Sequence, residues 1–243
     1  RSTLFPYTTL FRSDSIDTEN DFTSSDSDTN CKLTEELLDS PITRDEILES
    51  IKNLKLDKSP GIDNLIPEMF KYSSDLLLPY LDLIFNLILE KGEFPKSWST
   101  GIIVPLHKKG DIHNPNNYRG ITLLSIFSKI FTSIINKRLV FWGETMGKLN
   151  ECQAGFRQGY TTIDNMFVLQ SVIQRYLNCK GGKFYALFVD FSKAFDTVQR
   201  NKLWSILQTH GLSRKMSTVL QSIYENVKAC VRSKTALSEN FDI

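Results

Sequence analysis

The residues best placed to do chemistry stand at the end of a run from Lys183 to Val189, where Asp190 is followed by Phe191-Ser192-Lys193-Ala194-Phe195-Asp196. The run is apolar at both parities, which predicts a strand buried on both faces of its sheet. A carboxylate directly after such a strand lies at the sheet's edge, where a cation reaches it without complete desolvation. A hard cation such as Mg²⁺ takes one or two carboxylates together with phosphate oxygens and water. Asp190 therefore suits a metal ligand, although an Asp in that place more often caps the next turn. Asp196 reads as a capping or structural residue. A second candidate is the stretch between Lys96 and Val140, which carries seven bases and one acid, Asp111. Clustered cations suit a polyanionic partner, and an ordinary solvated surface accounts for them equally well. His107, His113 and His210 have no partner at ligand spacing. Cys31, Cys152, Cys179 and Cys230 lie far apart with no CxxC pair, which suggests neither a zinc site nor a disulfide framework and points to a reduced, intracellular setting.

The elements that must position these residues follow from composition and periodicity. With 243 residues, 41% apolar and 23% charged, the chain falls outside the collagen-like and wholly disordered classes and is long enough for one or two domains. Its most apolar stretch, Leu76 to Leu89, is interrupted by Pro79, Asp82 and Asn86 and is too short to span a bilayer, so no membrane association is expected. Residues 1–13 begin and end in Arg-Ser and look like a translated sequencing adapter. Residues 14–32 are acidic and poor in apolar side chains, so disorder is expected there, with order beginning near Leu33. Thr43-Arg44-Asp45-Glu46 reads as a capping box opening a helix with Ile47, Ile51 and Leu54 on one stripe. A second helix is expected from about Asp75 to Lys91, with Leu77, Leu81, Ile84, Phe85 and Ile88 inward and with Gly92 and Pro95 ending it. Residues 101–106 read as a strand and His107 to Gly120 as a polar loop. Helices follow at about 125–142, 162–177, 200–209 and 213–225, and a strand starts at Val227. The whole is of the α+β class.

Set in order along the chain, these segments resemble the reverse transcriptases of non-LTR (LINE-type) retrotransposons. Phe188-Val189-Asp190-Phe191-Ser192-Lys193-Ala194-Phe195-Asp196-Thr197-Val198 is similar to the first catalytic motif of the palm. Lys58-Ser59-Pro60-Gly61-Ile62-Asp63 resembles the motif ahead of the fingers. Trp98, Ile102 to Asp111 and Asn117 to Leu124 resemble the first fingers motif, which Ser128-Lys129-Ile130 and Asn136-Lys137-Arg138-Leu139 continue. Gln153-Ala154-Gly155-Phe156-Arg157 with Thr161-Thr162-Ile163-Asp164 resembles the second. The resemblance covers roughly residues 41–243.

The resemblance implies right-hand polymerase fingers with an incomplete palm over residues 98–243, preceded by a helix-rich N-terminal extension over 33–97. It implies an RNA-directed DNA polymerase, a nucleotidyltransferase working with template RNA, a DNA primer, dNTPs and two Mg²⁺ ions. Asp190 and the backbone carbonyl of Phe191 would hold metal. Lys108, Lys109 and Arg119 would grip the triphosphate, Lys193 and Ala194 would lie along it, and Phe195 would sit under the sugar and exclude a 2′-hydroxyl. The family's Arg-Gln-Gly-Cys-Pro-Leu block and its Ala-Asp-Asp hairpin have no counterpart among the 243 residues. Two of the three metal-binding carboxylates are thus expected to be missing and the fragment to be inactive alone. The alternative is a catalytically dead nucleic-acid-binding remnant of a decayed element. Either way the basic stretch predicts RNA binding whose affinity falls steeply with salt, because each neutralised phosphate releases counterions. A filter-binding titration at two salt concentrations checks this, and a salt-independent affinity would contradict it.

Overall fold

Apolar residues three and four apart set the helices of this chain, and side chains cap the starts of three of them, Thr43, Thr161 and Ser213 each accepting from an amide of the first turn. In a computed structural model, which describes residues 24–192, 194–233 and 236–243, α1 spans Ser24–Asp39, α2 Arg44–Lys52, α3 Pro67–Tyr72 and α4 Ser74–Lys91. Strands β1 (Thr100–His107) and β2 (Tyr118–Leu123) lead into α5 (Ile126–Thr145) and α6 (Thr162–Leu177). Then come α7 (Arg200–Thr209), α8 (Arg214–Tyr224), β3 (Lys228–Val231) and β4 (Phe241–Asp242). The architecture is a mixed α+β one with a small mixed sheet. No helix among the described residues is long and apolar enough to cross a membrane.

Several sequence expectations meet their physical counterparts directly. Thr43 and Glu46 form the capping box of α2, the Glu46 amide donating to Thr43 Oγ1 and the Thr43 amide to the Glu46 carboxylate at 2.8 Å. Helix α4 ends at Gly92 in the left-handed conformation (φ 71°), whose amide donates to the Ile88 carbonyl; a Cβ there would also meet Thr218. Leu81, Phe85, Ile88 and Leu89 form the buried face of α4, whereas Ile84, expected inward, is exposed. In α5 the pairs Ile130/Phe131 and Ile134/Ile135 are buried as their spacing requires.

The N-terminus differs from expectation. Helix α1 begins at Ser24, well before the expected onset of order at Leu33, so residues 24–32 are helical. Its anchor is further on: Leu38 is fully buried, and Trp142 Nε1 donates to the buried Thr34 hydroxyl at 3.3 Å. Once that turn is docked, each residue added in front of it meets only the cost of propagation and not that of nucleation. Residues 1–13, expected to be an adapter-like string, and residues 14–23 lie outside the described residues.

The sheet is built on β1. Its order is β2-β1-β3-β4, with β1 antiparallel to β2 and parallel to β3. The polar loop expected to reach Gly120 ends earlier, because Tyr118, Arg119 and Gly120 pair with His107, Leu106 and Pro105. Side chains supply the turn between the strands: Asn117 Nδ2 donates to the Asp111 carbonyl and Tyr118 Oη to that of Ile112, at 2.9 and 2.8 Å. The larger correction concerns residues 183–189. They form no strand and belong to no sheet, and Tyr185, Leu187 and Phe188 are at least 80% exposed. An apolar run at both parities records a demand for cover on two faces. Whether cover exists depends on distant partners, which periodicity cannot encode.

One apolar core takes residues from α1 to α5, α7 and α8, so the expected N-terminal extension shares its interior with the helices that follow it. Trp98 stacks on Phe127 with centroids 5.2 Å apart, and Phe70, Phe85 and Phe94 meet these rings edge-on. This cluster fixes the entry of β1. The closure of the core is polar. Arg138 of α5 is buried and uses all five of its N–H donors. Nε and Nη2 grip both Glu46 oxygens at 2.7 Å, and the Nη groups donate to the carbonyls of Leu38, Ser40 and Pro41. Burial pushes the Glu46 carboxyl up, but the bonds from Arg138 and Thr43 and the guanidinium charge outweigh it and hold the pKa below the usual range.

Breaking this clasp leaves a partly buried carboxylate and three carbonyls without their donor. Arg138→Met is expected to lower stability by about 3 kcal/mol, the lower end for a buried pair because Glu46 retains some exposure. Urea denaturation checks the value. Because the folded-state pKa of Glu46 is depressed, its contribution is fully present at neutral pH and is lost as pH falls below about 4.3. Glu46→Gln should accordingly be less stable than wild type at pH 7, and the difference should shrink towards pH 3.

Candidate active site

The sequence candidates fall into two groups. The first is the β1–β2 hairpin. Lys108 and Lys109 follow the end of β1, the Lys108 amide donating to the Asn117 carbonyl at 2.8 Å, and Arg119 lies on β2 opposite Leu106. All three side chains are exposed. The hairpin thus carries three exposed cations along or just after its strands, groups that can meet phosphate oxygens, Arg in a bidentate manner.

The Lys58–Asp63 segment packs where the hairpin passes into α5. A Cβ on Gly61 would lie 2.7 Å from the Leu124 carbonyl carbon and 2.9 Å from the Ser125 nitrogen, a spacing only glycine permits. Asp63 Oδ1 accepts from the Leu65 amide at 3.2 Å, and the Asp63 charge faces Lys129 on α5. Burial pushes the Lys129 ammonium down, and Asp63 offsets part of that push. Two segments named as separate motifs in the sequence are therefore one packed unit.

The second group is the turn after residue 189. Asp190, Phe191 and Phe195 are exposed, and Ala194 is half-buried with its carbonyl accepting from Thr197 Oγ1 at 3.4 Å. Lys193 lies outside the described residues. Among the described residues no hydrogen bond or ion pair joins this turn to Lys108, Lys109 or Arg119. Nor do three His, Cys, Asp or Glu residues there converge on a point that could hold a metal ion. Asp190 with the Phe191 carbonyl supplies two hard oxygens. That suits a cation completed by phosphate and water, and falls short of an all-protein cage.

A contact the sequence did not reveal joins this turn to the 150–160 segment: the rings of Phe195 and Phe156 meet edge-on, centroids 6.1 Å apart. The segment is tied down by its next residue. Arg157 forms a bidentate pair with Glu144 at 2.6 and 2.9 Å, donates to the Asn150 and Gln153 carbonyls, and lies over the Tyr160 ring at 4.6 Å. The hydrogen bond from Arg157 holds the Glu144 carboxyl below its usual range. The only sequence hint was the adjacency of Gly155, Phe156 and Arg157.

A model of the reverse transcriptase (RNA-dependent DNA polymerase) family matches residues 106–240, a span holding both groups. The chain is similar to the probable RNA-directed DNA polymerase from transposon BS of Drosophila melanogaster, 36% identical over 201 residues, covering 82% of this chain and 22% of that protein. The probable RNA-directed DNA polymerase from transposon X-element of the same species is 33% identical over 220 residues, 85% of this chain and 23% of the relative. The RNA-directed DNA polymerase from its mobile element jockey is 33% identical over 180 residues, 69% and 19%. The chain spans about a fifth of the length of these curated relatives. If Arg157 anchors the 150–160 segment, Arg157→Ala should speed chymotryptic cleavage at Phe156 and Tyr160 while α5 stays intact. An unchanged cleavage rate would deny it the anchoring role.

Proposed function

The chain belongs to the reverse transcriptase family, and we propose that it forms the fingers and the first half of the palm of an RNA-directed DNA polymerase of a non-LTR retrotransposon. The observation that carries this reading is that one family match, over residues 106–240, takes in both the three-cation hairpin and the Asp190 turn. A nucleotidyltransferase needs both, cations for the triphosphate and a carboxylate for metal. The extension over 33–97, the reverse transcriptase domain over 98–243 and an intracellular place of action belong to the same reading.

Arg119 and the pair Lys108/Lys109 would hold the triphosphate of a dNTP, with the backbone at Lys193 and Ala194 alongside it. Phe195 would lie under the sugar, where its ring leaves no room for a 2′-hydroxyl. The family suggests a divalent metal cofactor, here Mg²⁺, which Asp190 and the Phe191 carbonyl would help to hold. When bound, such ions stabilise charge on the attacking and leaving oxygens. Template RNA and a DNA primer would be the nucleic-acid partners.

One carboxylate is too little for two cations, so this chain alone is expected to show no primer extension. Joined to the remaining palm and thumb of a relative, it should extend a DNA primer on RNA with Mg²⁺. In that enzyme Asp190→Asn should abolish extension with template affinity nearly unchanged, since a metal ligand is lost and not a phosphate contact. An active Asp190→Asn enzyme would refute the metal role.

A further inference from the structure

Phe156 has backbone φ 64°, in the left-handed region. The other non-glycine residues at positive φ among the described residues are Asp57, Asn64 and Asn226, types whose short polar side chains tolerate it. A bulky aromatic residue gains no such relief, and a strained backbone persists only where its surroundings over-determine it. Here they do. The Arg157 guanidinium fastens the following residue to Glu144, Asn150 and Gln153, and Gln153 Nε2 donates to the Gly155 carbonyl just before it.

The strain secures no core packing, since the Phe156 side chain is 62% exposed. What it secures is direction. The ring meets Phe195 edge-on at an interplanar angle of 79°, a favoured geometry for two aromatic rings. Phe195 is itself 54% exposed and sits in a turn that belongs to no helix or strand.

We infer that Phe156 is a positioning residue for Phe195: its ring, held out by a strained and fastened backbone, fixes where the Phe195 ring stands and so sets discrimination between deoxyribose and ribose. The inference rests on the proposed place of Phe195 under the sugar. Phe156 thus acts through the Phe195 ring, which its own ring meets. Its loss should therefore relax sugar choice while changing the KM for dNTP little.

Two measurements test this, and Phe156→Gly serves both because glycine accepts φ 64° without strain. In the chain itself, 4-fluorophenylalanine placed at position 195 reports on that ring by ¹⁹F NMR. Phe156→Gly should move the resonance towards that of the free amino acid, and Phe156→Tyr, which keeps a ring, should leave it nearly in place. An unmoved resonance in Phe156→Gly overturns the contact. In the joined polymerase, single-nucleotide extension with dNTP and rNTP compares Phe156→Gly, Phe156→Tyr and Phe195→Val. Phe156→Gly should raise the rNTP-to-dNTP incorporation ratio roughly 3- to 10-fold, the scale of one edge-on ring pair, with Phe156→Tyr close to wild type. If Phe195→Val relaxes sugar choice and Phe156→Gly does not, the positioning role fails and the gate stands. If Phe195→Val changes nothing, the gate itself fails, and the inference falls with it.

Discussion

A buried guanidinium holds the N-terminal helices to the rest of the chain. Arg138 ties the carbonyls of Leu38, Ser40 and Pro41 to the Glu46 carboxylate, closing the link between α1 and α2 onto α5. The end of α1 leaves carbonyls that no helical amide can reach, and a cation suits that end of the helix dipole. The same link is pinned from α4, where Asn86 accepts from the Ile42 amide at 2.7 Å and donates to its carbonyl at 3.0 Å. Removing either clamp would leave polar groups stranded beside Ile42 and Ile47, which the core keeps dry. The aromatic cluster around Trp98 can form only when α3, α4 and α5 are so aligned, and it is this cluster that delivers β1 and its basic hairpin.

The hairpin and the Asp190 turn differ in how they are held. Arg119 lies on, and Lys108 directly after, a strand pair with six residues in register, and Gly61 packs against Leu124 and Ser125 where β2 passes into α5. Asp190 follows a segment outside any sheet with exposed apolar side chains, and Phe195, five residues on, is met by a ring from the 150–160 segment. Strength therefore sits with the cations that would grip phosphate. The turn that follows the carboxylate has few contacts, among them the one between the Phe195 and Phe156 rings.

The parts legible in the sequence are those that depend on neighbours three or four residues away. The α2 capping box, the α4 stop at Gly92 and the α5 apolar face are of this kind. The Asp190 and Arg119 phrases were legible as motifs. Arg138 was visible only as a base within a motif, because its partners stand 92 to 100 residues away. The run from 183 to 189 misled for the complementary reason: its composition states what it needs, and the described residues do not meet that need. The early start of α1 escaped a compositional reading because docking at Leu38 extends a helix whose own residues would not sustain it.

If Arg138 unites the N-terminal helices with α5, and if the Asp190 segment stands outside that unit, native-state hydrogen exchange should separate the two directly. The amides of α2 and α5 should exchange with one common opening free energy, close to that of global unfolding, while those of 183–192 exchange nearly unprotected. In Arg138→Met the protection of α2 and α5 should fall together. Opening of α1 and α2 at much lower free energy than α5 in the wild-type chain would contradict the account, as would protection of 183–192 equal to that of the core.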